Sequence, residues 1–233
     1  ASGIMINLEH LVYHNTGDPE PGQLTLMRPF GPALGHTRLP DEIIDAFNAD
    51  IDKGTNGPDW SDHLVGKVEA ENLIPSEVLD DHKVFFMDAA LRYVADYAHR
   101  NCQPIRLDIR PQVHIQSAWY VQQKAHDFNP IHLHTNSELS CIGYLKMPDG
   151  IEEEWAKDGL DHYPANGHVE FMAGSPTFLN RATFMVRPKV GDFFIFPADM
   201  YHTVYPFQSE GERRSFSMNI VLSELDQEKD DES

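Results

Sequence analysis

The stretch Phe128–Leu145, FNPIHLHTNSELSCIGYL, sets two histidines one residue apart just ahead of an apolar segment of strand-like composition. On a strand, residues two apart project from the same face, so His132 and His134 can aim two imidazoles at one point while Leu133 turns away. Neutral imidazole is the commonest protein metal ligand, but two ligands make half a site, and a third has to come from elsewhere in the chain. The plainer alternative is a pair of hydrogen-bonded strand histidines.

The sequence around this stretch consists of short β-branched or aromatic runs divided by Pro, Gly and Asn. They are VHIQSAWYVQQ, LSCIGYLKM, GHVEFMAG, ATFMVRP, DFFIFP, YHTVYPF and RSFSMNIVL. Many short strands in succession predict an all-β sandwich or barrel. The N-terminal part reads differently. LPDEIIDAFNADIDKG, from Leu39, carries acidic residues early, Ile43, Ile44, Phe47 and Ile51 at helical spacing, and a glycine stop. IPSEVLDDHKVFFMDAALRYVADYAHR repeats that pattern at greater length, with Ser76 placed to cap it. Two amphipathic helices therefore precede the strands, and the chain has no long low-complexity linker and no internal repeat.

Composition narrows the function classes. With 233 residues, 41% hydrophobic and 24% charged, the chain reads as an ordinary globular protein able to bury a sizeable core. A formal net charge of −19 repels nucleic acid and anionic lipid at long range, so neither is an expected partner. Two cysteines, Cys102 and Cys141, are too few for a disulfide framework, and no basic, apolar leader or membrane-length apolar run is present, so the expected location is cytoplasmic. The terminal SELDQEKDDES reads as a solvated acidic tail.

The candidate third ligand is His202, in GDFFIFPADMYHTVYPF, where a strand meets a Pro-marked turn and the histidine opens the next strand. Beginning eleven residues beyond it, RRSFSMN alternates so that Arg213, Ser215, Ser217 and Asn219 share one face and Arg214, Phe216 and Met218 the other. A polar face turned into a barrel would shield a guanidinium, which is costly unless it meets an anion, and a carboxylate matches the guanidinium fork in two places. An anionic small molecule is implied.

These residues together resemble the iron(II)- and 2-oxoglutarate-dependent oxygenases, most closely the prolyl-hydroxylase-like branch and a group of bacterial and phage oxygenases within it. The resemblance runs from about Trp119 to Asn219 and reaches weakly into WSDHLVGKVEAE. It implies a double-stranded β-helix, the cupin-like jelly roll, supported by α-helices. It also implies Fe(II), 2-oxoglutarate and O2 as reactants, and oxidation, usually hydroxylation, of a further substrate. On this reading residues 1–104 form a helical or mixed region packing on the barrel, 105–224 the barrel, and 225–233 the tail. His132, His134 and His202 would hold the iron, and Arg213 and Ser215 the far carboxylate of 2-oxoglutarate. Tyr144 falls where the branch places a tyrosine on that carboxylate, and Ser140 where it often has threonine. Gln122, sharing a face with Tyr120, is a further candidate to bind the acid, against the plainer reading of a satisfied barrel glutamine.

His134 stands where the family usually has a carboxylate. Three neutral imidazoles leave an Fe(II) site at plus two rather than plus one. Two acids, Glu138 and Asp199, are alternative third ligands, ranked below His134 because their placement depends on loops. A three-histidine cupin-type dioxygenase that does not use 2-oxoglutarate, and a non-enzymatic or zinc-containing jelly roll, are the competing readings. The primary substrate, a small molecule or a peptide, and the oligomeric state have no readable signal, nor has the role of the acidic run at 149–161.

Overall fold

The computed structural model describes residues 31–54, 57–100, 111–157 and 164–224. The acidic tail, Cys102, His162 and the N-terminal segment read for a leader lie outside the described residues, as does part of the acidic run at 149–161.

The first helix, α1 (Asp41–Lys53), has Asp41 and Glu42 in its first turn and Lys53 in its last, complementing the helix dipole. It stops at Gly54, whose φ of 65° is the left-handed cap conformation that glycine adopts without strain. Ile43, Phe47 and Ile51 recur every four residues and are buried, which gives the helix one apolar face. The second helix, α2 (Ser76–Arg100), buries Phe86 and Ala90 against the same core. Ser76 is its first residue rather than its cap: the Pro75 carbonyl accepts the amide hydrogens of Val78 and Leu79.

Among the described residues ten strands follow the chain as β1 (Gly35–Arg38), β2 (Ala70–Leu73), β3 (Pro111–Gln123), β4 (Asn129–His132), β5 (Leu139–Lys146), β6 (Val169–Met172), β7 (Thr183–Val186), β8 (Asp192–Pro197), β9 (Tyr201–Val204) and β10 (Arg213–Glu224). They form a six-stranded sheet, ordered β1-β8-β5-β10-β3-β2, and a four-stranded sheet, ordered β4-β9-β6-β7. All the ladders are antiparallel. The arrangement is a double-stranded β-helix, or jelly roll.

Strand alternation divides the large sheet between two cores. One face, with Cys141, Leu145, Phe193, Ile195, Phe216 and Met218, packs on α1 and α2. Phe47 of α1 reaches this face, 5.1 Å from the Phe216 ring and 5.7 Å from Tyr120 in edge-on contacts. The strands there leave no room for a side chain at position 143, since a Cβ on Gly143 would lie 2.2 Å from the Phe216 ring. The opposite face, with Ile142, Tyr144, Phe194 and Phe196, meets Val169, Phe171 and Val204 of the small sheet. The functional groups lie on these inner faces.

Strands β1 and β2 extend the large sheet from within the segment read as helical or mixed, and β4 was not among the expected runs. Each has only four residues, too few for alternation to register. The acidic run contains a helix, α3 (Ile151–Ala156): Ile151 and Trp155, one turn apart, are buried with Phe207, while Glu154 accepts the amide hydrogens of Gln208 and Ser209. Among the described residues no helix is long and apolar enough to cross a membrane.

Candidate metal centre and anion pocket

His132 and His202 are direct cross-strand partners in the β4–β9 ladder, so sheet geometry puts both imidazoles on one face, with ring centroids 4.2 Å apart. The register shifts between Asn129 and His132, a bulge that re-aims the end of β4. His134 lies just beyond the strand, where its amide donates to the Ala198 carbonyl at 2.8 Å. Its ring sits 5.3 Å from His132 and 5.2 Å from His202, and stacks on Trp119 at 5.7 Å. One potential ligand atom from each of the three histidines lies within 4.8 Å of the others, and among the described residues this is the group of side chains able to hold a metal ion.

The hydrogen bonds around the rings determine which nitrogens remain for a metal. Nδ1 of His132 donates to the Pro130 carbonyl at 2.7 Å, Nδ1 of His202 to the Met200 carbonyl at 3.0 Å, and Nδ1 of His134 to Oδ1 of Asn219 at 2.7 Å. Acceptors on all three Nδ1 atoms fix the tautomer and leave each Nε2 with its lone pair, as a metal requires. Burial holds all three imidazoles below the ordinary histidine range, and the neighbouring rings add to the effect at His134, about 4, and His202, about 3. They are neutral at pH 7.

Glu138 and Asp199 are not in this cluster. The carboxylate of Glu138 accepts the Leu222 amide at 2.7 Å, and Asp199 lies on an exposed cleft with Tyr201. Ser140 is buried and its hydroxyl donates to Asn219 Oδ1 at 3.0 Å, the atom that also receives His134; it buttresses a histidine partner. His114 bonds the Gln112 side chain. His126 sits in a turn at φ 74°, and His168 packs under Trp155 and accepts from Arg187.

Arg213 is wholly buried. Its Nε donates to Gln123 Oε1 at 3.0 Å and its Nη1 to the Gly167 carbonyl at 2.9 Å, and among the described residues no carboxylate pairs with it. Burial lowers its pKa to about 10, so it remains a cation at neutral pH. Near it the buried Tyr144 hydroxyl has no hydrogen-bond partner, and burial raises its pKa. Nη2 of Arg213 also donates to the Tyr205 carbonyl at 3.4 Å and the group lies over the Phe207 ring. The guanidinium is thus hydrogen-bonded but its charge meets no carboxylate among the described residues, and a desolvated cation beside a phenol without a partner is a site short of an anion. Ser215 lines the adjoining pocket with the three histidines, Trp119 and Gln123.

Gln122 is a correction. It goes with Tyr120 to the outer face, where its amide donates to Glu212 at 2.8 Å while the Tyr120 hydroxyl donates to Asp50. The inner glutamine is Gln123. Its Nε2 donates to Asn129 Oδ1 at 3.0 Å, and the Asn129 side chain in turn hydrogen-bonds Glu71, so a chain of side chains joins Arg213 to a buried carboxyl in the metal pocket. Burial pushes Glu71 up to about 7 against the opposing Asn129 bond. Sequence reasoning passed over Gln123, Asn129 and Glu71. The one available signal was the parity of Gln123 with Trp119, and both faces of β3 are apolar enough to hide it.

Residues 117–219 match the family model described as "Putative 2OG-Fe(II) oxygenase". No curated protein sequence matches the chain. Among solved structures the chain is similar to HygX from Streptomyces hygroscopicus with nickel, 2-oxoglutarate and hygromycin B bound, at 11% identity and TM-score 0.52 over 82% of this chain and 83% of that one. It is similar to the α-ketoglutarate-dependent epimerase SnoN from nogalamycin biosynthesis, at 12% identity and TM-score 0.50 over 82% and 78%. A Pseudomonas putida prolyl-4-hydroxylase aligns at 14% identity and TM-score 0.48 over 81% and 91%. At such identities the likeness to HygX and SnoN is one of fold.

Proposed function

We infer that this chain, whose barrel belongs to the 2OG-Fe(II) oxygenases, holds iron(II) on Nε2 of His132, His134 and His202 and binds 2-oxoglutarate between that centre and Arg213. The family match over residues 117–219 supports the class of enzyme, the fold is compatible with it, and the residue roles are our reading. The observation that carries it is the buried Arg213, with no carboxylate partner among the described residues and the unsatisfied Tyr144 hydroxyl near it.

The donor set fits the metal: three neutral imidazoles converge with their remaining nitrogens unprotonated. When bound, iron and 2-oxoglutarate supply the oxidising power, one oxygen atom of O2 going to succinate as CO2 leaves and the other to the oxidised substrate. The chain's own groups orient the reagents. Arg213 offers a forked, charge-assisted contact to a carboxylate, and Tyr144 and Ser215 offer hydroxyls to the same end. Gln123 and Asn129 keep the guanidinium plane from turning. Trp119, Phe196 and Val204 wall the pocket and exclude water. The pocket that Ser215 and Gln123 share with the three histidines has only about 30 Å³ of free space, near the volume of one water, so on this reading a five-carbon diacid binds with movement of the side chains that line it.

The substrate we expect is a small molecule or a peptide; the net charge of −19 speaks against nucleic acid and anionic membrane. We place the enzyme in the cytoplasm, a reading supported by the low cysteine content. The test is anaerobic reconstitution with Fe(II) followed by 2-oxoglutarate. A weak visible charge-transfer band and, on admitting O2, release of succinate are expected. Iron binding with neither band nor succinate would overturn the reading and favour a three-histidine dioxygenase that binds its substrate directly, the alternative that His134 in a carboxylate's usual place supports.

A further inference from the structure

The sandwich has a second opening. The metal pocket lies toward β2, β3 and β4 at one side of the barrel, whereas the opposite side, between β7 of the small sheet and β8 and β1 of the large one, holds a cleft of about 840 Å³. That volume is within the range of small-molecule sites, roughly 300–1,000 Å³. One layer of aromatic rings separates the two. Phe171 touches Phe196 at 5.0 Å and Phe194 at 5.9 Å; Phe196 meets the His202 ring at 5.0 Å from the metal side, while Phe171 and Phe194 form the floor of the cleft.

The middle of the cleft is apolar, with Leu34, Phe184, Val186 and Met200 beside those two rings. Its ends are cationic. Arg181 precedes β7 and Lys189 follows it, and neither side chain makes an ion pair or hydrogen bond with a described residue. Arg187 also lines it but is engaged, donating to His168 and lying over the Trp155 ring. The one carboxylate in the lining, Asp192, is consumed: it accepts from Arg38 Nη1 at 2.8 Å and the Lys189 amide at 2.8 Å, and its Oδ1 lies 3.1 Å from His36 Nε2. In a chain with formal charge −19, an apolar cleft whose one acid among the described residues is neutralised and whose ends are cationic is a local reversal of sign.

We propose that this cleft is a second ligand site, separate from the metal pocket, and that it takes an elongated organic anion: a flat or extended apolar body with acidic groups toward its ends. The body lies against Phe184, Val186 and the His36 ring, which stacks on the buried Phe194 at 4.7 Å, and Arg181 and Lys189 receive the two acidic ends.

The test uses the full chain and calorimetry with three rigid probes: naphthalene-2,6-disulfonate, naphthalene-2-sulfonate and 2-naphthylmethylammonium. The disulfonate is expected to bind one to one, the monosulfonate several-fold more weakly, and the ammonium ion not measurably. Arg181→Ala and Lys189→Ala are each expected to weaken the disulfonate about threefold and the double variant about tenfold, as befits two rim contacts. Both residues are exposed, so the variants keep their fold. Arg213→Ala, at the metal side, is expected to leave the disulfonate constant unchanged, and 2-oxoglutarate is expected not to compete. No binding of the disulfonate at about 1 mM, equal binding of the ammonium ion, full affinity in the double variant, or loss in Arg213→Ala would each overturn the proposal.

Discussion

Arg213 and Gln123 face each other across the β10–β3 ladder inside the barrel, joined by a 3.0 Å hydrogen bond from Nε to Oε1; the next pair along the same ladder, Arg214 and Gln122, faces outward. One residue of register separates a guanidinium with no carboxylate partner among the described residues from one already paired at 2.7 Å with both Asp52 and Glu212.

The two arginines are therefore expected to differ sharply. Arg213→Ala should weaken 2-oxoglutarate binding to the Fe(II) protein by roughly 2–5 kcal/mol, as for other truncated buried charge pairs, and Arg214→Ala by less than about 1 kcal/mol. Lysine should rescue Arg213 poorly, because a point ammonium lacks the planar fork. Gln123→Leu should weaken the acid and Gln122→Leu should not. Anaerobic titrations that rank both pairs equally would remove the anion site from this face.

Tyr144→Phe separates ligand binding from folding. The hydroxyl is buried without a partner, and an unsatisfied group of this kind costs about 1–3 kcal/mol. Removing it should leave the ligand-free chain as stable as before or up to about 1 kcal/mol more stable, while 2-oxoglutarate affinity drops several-fold. A loss of stability in urea melts would mean that the hydroxyl already has a partner.

At the metal, His132→Ala, His134→Ala and His202→Ala should each sharply reduce iron retained after desalting, with little change in folded structure, since the two hydrophobic clusters supply the core. His134→Asp should still bind iron, as it restores a two-histidine, one-carboxylate set. Asn219→Leu should lower metal affinity by about 10–100-fold without touching a ligand, because His134 Nδ1 loses its acceptor. Full iron in His134→Ala would exclude that residue.

Two opposed pH effects are expected in the metal-free chain. His134 and His202 have folded pKa values of about 4 and about 3, below an unfolded value near 6.5, so the unfolded chain takes up more protons and stability falls as pH drops below about 6.5. Glu71, raised to about 7 from an unfolded 4.5, has the opposite sign, and stability is lost as pH rises from 4.5 through 7. Glu71→Gln keeps an acceptor for Asn129 and removes the second effect. Its stability relative to the parent should improve by up to about 3 kcal/mol between about pH 4 and pH 8 in chemical denaturation. A pH-independent difference would show that Glu71 titrates normally in the fold.

Much of this architecture was legible in the chain. The 3.6-residue recurrence of Ile43, Phe47 and Ile51 fixes α1, the long runs give the central strands, and one-residue alternation in RRSFSMN separates Arg213 from Arg214 before any coordinates exist. His132 and His134 were legible as a pair from strand alternation, whereas His202 joined them through the family resemblance; the fold brings the three side chains together.

The sequence by itself determined the types of the long elements, the barrel-plus-helices composition and the residue types able to serve at a metal and an anion site, because periodicity and side-chain chemistry are local properties that need several residues to register. Tertiary structure decided which face of β3 looks inward, and so chose Gln123 over Gln122: with apolar neighbours on both sides of the strand, only packing against the helices breaks the tie. It also decided the fate of the acids, turning Glu138 to the Leu222 amide and burying Glu71 beside the histidines. The cleft between β7 and β8 with β1 is wholly tertiary. Its lining comes from chain segments more than 150 residues apart, from Leu34 to Met200, and no local pattern encodes the space that two sheets leave where they diverge.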